Sequence, residues 1–270
     1  MNEESAVPAS LREAVRVEFQ SAFHAPYETP VVVAVNGALM SSAWFFLPPS
    51  LKDKLFTLHG TLAFAVVLAF WMYSDVPATN VLAPDRLRVI AAIDDPRIQR
   101  RLLYAKNLVL WLLVTPVCVL LALAVGLYEK DLLATLYTIV WLGLVPLGVL
   151  GISNLVGIRW PYHPMPIRYR WEHRQPRRRK LVRWMILVVT PYGLVPLLGV
   201  LLLTPSLAIW GFSSKSGLSK RLPSNDLGLG IAVACLIAGL AWWGGHRIGT
   251  WMIRRRRDQL IEFLNDPTLA

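Results

Sequence analysis

Residues 107–127 read NLVLWLLVTPVCVLLALAVGL and carry no acidic or basic side chain. A helix rises about 1.5 Å per residue, so about 20 such residues cross the roughly 30 Å hydrocarbon core of a bilayer. Apolar side chains occupy most sides of this helix, as expected where lipid or another span surrounds it. The stretch therefore predicts a membrane-spanning helix.

Five further apolar stretches of similar length accompany it. The six predicted spans are residues 31–48, 57–75, 107–127, 132–156, 184–204 and 227–248, with a kink or break expected in the fifth at Pro191, Gly193 and Pro196. Of the 270 residues, 55% are hydrophobic and 17% are charged, against about 25% charged in soluble domains, which excludes a soluble globular enzyme. We expect an all-α polytopic integral membrane protein with six transmembrane helices.

Basic residues outside the spans predict the orientation of the chain. If the N-terminus is cytoplasmic, 22 of the 28 Lys and Arg fall in cytoplasmic segments, which favours both termini inside. Anionic lipids explain the net charge of +11 better than nucleic acid does. We expect a bacterial plasma (inner) membrane protein with a cytoplasmic N-terminus (1–29), a transmembrane domain (30–252) with cytoplasmic loops 76–106 and 157–183, and a basic cytoplasmic tail (253–270).

An amphipathic helix is predicted before the first span, over residues 11–24. Ser10 and Glu13 match a capping box, in which both side chains satisfy unpaired amides at a helix start. One face of this helix is apolar and carries Leu11, Val15, Phe19 and Phe23. The other face is polar and carries Arg12, Glu13, Arg16 and Gln20. The pattern favours a helix lying in the membrane interface, and packing against protein is the alternative.

The segment between the second and third spans predicts a short cytoplasmic helix over residues 84–93. Pro84 and Asp85 are typical of a first helical turn, and Asp95-Pro96 is a second helix start that leads into the third span. A short apolar stripe follows the first start, formed by Leu87, Ile90 and Ala91. Such a helix suits docking to a soluble partner, and resting on the lipid surface is the alternative.

The sequence lacks motifs for catalysis and for ion transport. No P-loop, dinucleotide-binding, zinc-protease or nucleophile-elbow pattern occurs, so we expect no catalytic site, metal or cofactor in this chain. All 17 carboxylates lie outside the middle of the spans, which argues against a proton-coupled pump and favours an amphiphilic substrate. Asn36 and Asn154 lie deeper and serve either helix contacts or a substrate pathway. His246, near a span end, is expected to be solvated or interfacial.

Other polar groups leave further functions open. His163, Glu172 and His173 could serve an enzyme acting on lipid headgroups, although the prolines around them favour a solvated interfacial loop. Two basic runs are expected to anchor the topology and to contact anionic lipids: Arg177, Arg178, Arg179 and Lys180, and Arg254, Arg255, Arg256 and Arg257.

The order of these parts resembles the membrane subunits of ATP-binding-cassette exporters of the type-2 permease family. An amphipathic helix precedes two spans, a short segment with Asp85-Arg86, and a basic stretch that runs into Tyr104-Ala105-Lys106-Asn107-Leu108. The fourth span ends in residues 153–161, SNLVGIRWP, which is similar to the exit of that span in the family. Residues 205–212 are apolar enough to form the family's extracellular re-entrant segment.

The resemblance implies a six-span half-transporter that pairs with a second copy or a paralogue. Soluble ATPase subunits, which bind ATP and Mg, are implied to dock on the coupling helix. The implied ATPase-coupling residues are Pro84, Asp85, Arg86, Leu87, Arg88, Ile90 and Ile93, and those of the connecting helix are Arg12, Glu13, Arg16 and Phe19. The alternatives are a non-transporting scaffold of a cell-envelope complex and an integral membrane lipid-modifying enzyme.

Overall fold

The computed structural model describes residues 7–24, 28–46, 48, 61–74, 76–130, 132–161, 163, 189–202, 204–205 and 223–266. Among these residues, 89% are helical and none lies in a strand. The helices are α1 (Leu11–Ala22), α2 (Glu28–Phe46), α3 (Thr61–Tyr73), α4 (Val76–Thr79), α5 (Arg86–Ala91), α6 (Pro96–Glu129), α7 (Leu132–Arg159), α8 (Val189–Leu202), α9 (Pro223–Arg255) and α10 (Arg257–Asn265).

Three of the described helices are long and apolar enough to cross a membrane. These candidate spans are Pro96–Tyr128, Thr135–Arg159 and Gly228–Arg255, within α6, α7 and α9, and they correspond to the predicted third, fourth and sixth spans. The shorter apolar helices α2, α3 and α8 lie where the other three spans are predicted. The chain is therefore compatible with a membrane location, and the count of six spans stays a prediction.

Two sequence signals for helix boundaries have different outcomes. Asp95 accepts hydrogen bonds from the backbone N–H groups of Arg97 (2.7 Å) and Ile98 (3.2 Å), and Pro96 opens α6, so the predicted helix start there is confirmed. No break interrupts the fifth predicted span among the residues described, because α8 is helical through Pro191 and Pro196, and a kink there stays a prediction. Membrane helices tolerate proline where neighbouring groups satisfy the freed backbone.

The segment between α3 and α6 (residues 76–95, here the connector) differs from the single ten-residue helix that the sequence predicts. A 3₁₀ turn, Ala83–Asp85, precedes α5, which ends at Ala91. Asp95 is extended (φ −105°, ψ 106°) because the α conformation is disfavoured before a proline. The chain therefore leaves the helical conformation before α6 begins, which shortens α5.

The N-terminal helix α1 has the predicted cap and packs chiefly along α6. The backbone N–H of Glu13 donates to Ser10 Oγ (3.1 Å), and that of Ala9 donates to Glu13 Oε2 (2.7 Å). Ala14 is buried, whereas the apolar side chains of Leu11, Phe19 and Phe23 remain exposed. One face of α1 thus contacts protein, and the predicted apolar stripe faces outward.

Helices α7 and α9 pack so closely that their backbones touch. A Cβ atom at Gly151 would lie 2.6 Å from Cα of Trp242, and one at Gly245 would clash with the carbonyl oxygen of Gly151. Small residues permit such contact between membrane helices, whose association depends on van der Waals packing. This glycine contact holds α9 against α7 near Gly245.

Candidate functional site

Four charged side chains from three separate elements meet beside the connector. Lys106 on α6 lies 3.0 Å from Glu18 on α1 and 3.8 Å from Asp85 of the connector. Arg88 on α5 lies 3.3 Å from Asp85 and 4.0 Å from Glu18. We call these four residues the charged cluster. It ties the connector to both α1 and α6.

Burial makes the balance of charge in this cluster important. Its side chains are between 10% and 23% exposed, so each ion has lost much of its hydration. Two cations and two anions compensate one another, because an unpaired buried charge is strongly unfavourable. Burial raises the pKa of Asp85 above its ordinary value, and Glu18 adds to this rise, while Lys106 and Arg88 oppose it.

The connector is also held by an apolar core, which includes α10. The buried side chains of this core are Val81, Leu82, Ala83, Val89, Ile93, Leu103, Ile158, Ile253, Leu260, Phe263 and Leu264. Residues 257–265, expected to belong to a basic tail, therefore form a helix packed on the connector. The sequence contains the signal, since Leu260, Phe263 and Leu264 recur at helical spacing.

Two arginines of the C-terminal basic run have partners within the chain. Arg256 donates to the carbonyl oxygens of Ile158 (2.9 Å) and Arg159 (2.7 Å), which satisfies acceptors at the end of α7. Arg257 forms a two-pronged ion pair with Asp94 through distances of 2.6 and 3.0 Å. These hydrogen bonds lower the pKa of Asp94 below its ordinary value. Arg256 and Arg257 thus have protein partners, and their role as topology anchors stays a prediction.

A second polar cluster joins α6, α7 and α9. The Nδ1 atom of His246 lies 2.6 Å from the carbonyl oxygen of Trp242, which only accepts, so Nδ1 carries the proton. The other ring nitrogen, Nε2, lies 3.1 Å from the amide of Asn107 and 3.5 Å from that of Asn154, while Tyr104 packs on the ring at 4.1 Å. His246 is fully buried, so the expectation of a solvated imidazole is wrong.

The structure divides the predicted ATPase-coupling residues between two faces. Pro84, Arg86 and Leu87 are exposed, whereas Ile93 is buried in the apolar core. Asp85, Arg88 and Ile90 are partly buried, the first two in the charged cluster. The predicted connecting-helix residues Arg12, Glu13, Arg16 and Phe19 are exposed on α1. Sequence reasoning missed Glu18 and Lys106, which form ion pairs with Arg88 and Asp85.

The remaining predicted residues do not assemble into one site. The hydroxyl of Tyr192 on α8 donates to Asn36 (3.4 Å), and Asn154 contacts His246, so the two asparagines join different helices. His163 is buried and its Nε2 donates to the carbonyl oxygen of Phe263 (2.7 Å). Glu172, His173, Arg177, Arg178, Arg179, Lys180 and residues 206–212 lie outside the described residues.

No group of three or more His, Cys, Asp or Glu suited to a metal ion occurs among the described residues. Comparison with protein families, with characterised proteins and with solved structures found no match for this chain. Any assignment of function therefore depends on the geometry of the connector and on the order of the helices.

Proposed function

We propose that this chain is the permease subunit of an ATP-driven exporter. It forms six spans with both termini in the cytoplasm and pairs with a second copy or a paralogue. Separate ATPase subunits, which bind ATP and Mg, dock on the connector from the cytoplasm. The motion that follows ATP binding opens a path for an amphiphilic substrate between the paired permeases.

The observation that carries the proposal is the way the connector is held. Its exposed side presents Arg86 and Leu87, while its inner side is fixed by the charged cluster and by the apolar core. A displacement applied to the exposed side would reach α1 through Glu18 and α6 through Lys106. A short element fixed in this way suits the transfer of rigid-body motion from a soluble motor to membrane helices.

This arrangement gives the predicted coupling residues two different tasks. Arg86 and Leu87 contact the ATPase, together with the adjacent exposed side chain of Pro84. Asp85 and Arg88 transmit its motion without touching it, because their side chains are engaged by Glu18 and Lys106. A change at Arg86 or Leu87 releases the ATPase. A change at Asp85 or Arg88 leaves the ATPase bound and impairs export.

Co-purification in mild detergent tests the proposal. The tagged chain from its own host should retain a subunit that carries a P-loop and hydrolyses MgATP, and Arg86→Glu with Leu87→Glu should release it. Lys130→Glu is the matched control, because Lys130 follows the opposite end of α6 and is exposed. Failure to recover an ATPase, or equal recovery with both variants, would favour the scaffold alternative.

The lipid-modifying enzyme gains no support from His163. Its ring stacks on Phe263 with centroids 4.6 Å apart, and its Nε2 atom already donates to a backbone carbonyl. A general acid or base must reach the reacting group, and burial beneath α10 opposes this.

A further inference from the structure

The last turns of α9 carry a row of alternating tryptophans and arginines. Trp243, Arg247, Trp251 and Arg255 follow one another at a spacing of four, which places them on one side of the helix, with Arg254 beside them. The guanidinium carbon of Arg247 lies 4.4 Å from the ring centroid of Trp243, and that of Arg255 lies 5.3 Å from Trp251. We call these five residues the Arg–Trp stripe.

The stripe is exposed and its charge is uncompensated within the described part of the chain. Trp243 and Trp251 are 52% and 57% exposed, and the three arginines are exposed as well. None of these arginines forms an ion pair with a described carboxylate, in contrast to Arg257 with Asp94. Three guanidinium groups beside two indole rings thus need a partner that is anionic at one end and apolar at the other.

The length of α9 places the end of the stripe, with Trp251, Arg254 and Arg255, at the membrane surface. Its candidate span, Gly228–Arg255, has 28 residues and so measures about 42 Å, whereas the hydrocarbon core of a bilayer is about 30 Å thick. The last turns therefore extend into the headgroup layer. Tryptophan is enriched at this depth, and arginine side chains reach from it toward lipid phosphates.

We propose that the Arg–Trp stripe binds an anionic glycerophospholipid. The phosphate accepts paired hydrogen bonds from Arg254 and Arg255, whose planar guanidinium groups match its oxygens. Trp243 and Trp251 pack against the glycerol and the upper acyl chains, and Arg247 interacts with the negative charge of the same headgroup. The site separates these arginines from Arg256 and Arg257, whose side chains hold the fold.

Lipid titration followed by native mass spectrometry tests this site. The purified protein in a neutral detergent is titrated with phosphatidylglycerol and, in a parallel arm, with zwitterionic phosphatidylcholine. We expect wild type to bind phosphatidylglycerol at least about tenfold more tightly than phosphatidylcholine. Each arginine near an anionic headgroup contributes about a fivefold gain in affinity. Arg247→Gln, Arg254→Gln and Arg255→Gln combined should reduce this preference to about twofold or less.

Arg257→Gln is the matched control, and it should keep the preference because Arg257 faces Asp94. If the triple variant does not fold, Arg254→Gln alone should lower the affinity for phosphatidylglycerol about fivefold. Equal binding of both lipids by wild type would overturn the proposal. An undiminished preference for phosphatidylglycerol in the folded triple variant would also overturn it. If Arg254→Gln is used instead, an unchanged affinity for phosphatidylglycerol would do the same.

Discussion

Lys106 Nζ on α6 lies 3.0 Å from Glu18 Oε1 on α1, although 88 positions separate the two residues in the chain. The same ammonium group lies 3.8 Å from Asp85, so one lysine faces carboxylates from both flanking elements. The connector, α1 and α6 are therefore held by a shared set of charges. A change to any one member leaves the others unbalanced.

Replacement of Lys106 should destabilise the protein. Lys106→Met leaves Glu18 and Asp85 with Arg88 as their single described cation, and we expect the free energy of unfolding to fall by about 2–3 kcal/mol. Denaturant unfolding in detergent micelles measures this. Adding Glu18→Gln should recover more than half of the loss, since it removes the uncompensated anion. A double variant no more stable than Lys106→Met would contradict the cluster's role.

Two aspartates of the connector should give opposite dependences of stability on pH. Burial raises the pKa of Asp85 above 3.8, so the folded state binds the proton more tightly and stability falls as pH rises from 3.8 through the raised pKa. Arg257 lowers the pKa of Asp94, so its contribution is present above 3.8 and is lost as pH falls through the lowered pKa.

Thermal unfolding between about pH 3 and about pH 7 separates these effects. As pH rises, the melting temperature of wild type minus that of Asp85→Asn should decrease. The melting temperature of wild type minus that of Asp94→Asn should increase as pH rises. Parallel difference curves for the two variants would refute the opposite pKa shifts.

The contact between α7 and α9 should be intolerant of a single methyl group. Gly245→Ala places a Cβ against the carbonyl oxygen of Gly151 and should cost about 1–3 kcal/mol of unfolding free energy. Gly244→Ala is the control, because nothing lies within 4 Å of a Cβ at that position. Unfolding in micelles compares the two, and equal stability would show that the helices are further apart.

Loss of the Phe263 ring should loosen the connector. Phe263→Ala removes a large side chain from the apolar core and should lower the free energy of unfolding by about 3 kcal/mol. Limited trypsin digestion should then cleave faster after Arg86 and Arg88. Glu262→Ala changes the exposed neighbour on α10 and should leave the cleavage rate unchanged. Equal rates in both variants would argue against α10 as the cover of the connector.

Local signals predicted the starts of α1 and α6 well. Ser10 with Glu13, and Asp95 with Pro96, act on amides within four residues, so their physics is contained in a short stretch of sequence. The apolar stretches within α6, α7 and α9 follow from composition and length in the same way. These features do not depend on any distant contact.

Long-range partners explain what the sequence did not predict. Asp85 and Arg88 look like solvated surface charges until Glu18 and Lys106 are placed beside them, and His246 looks solvated until Asn107 faces it. Arg257 pairs with Asp94 across 163 positions. Pairing at such separations is set by the packing of helices, which hydropathy alone does not specify.

Photo-crosslinking at residue 87 tests the central claim most directly. A benzoylphenylalanine at Leu87, on the exposed side of the connector, should form a covalent product with a P-loop ATPase subunit in intact cells. The same probe at Tyr128, exposed near the opposite end of α6, should not. Absence of that product from position 87, or its formation from both positions, would contradict the claim that the ATPase subunit docks on the connector.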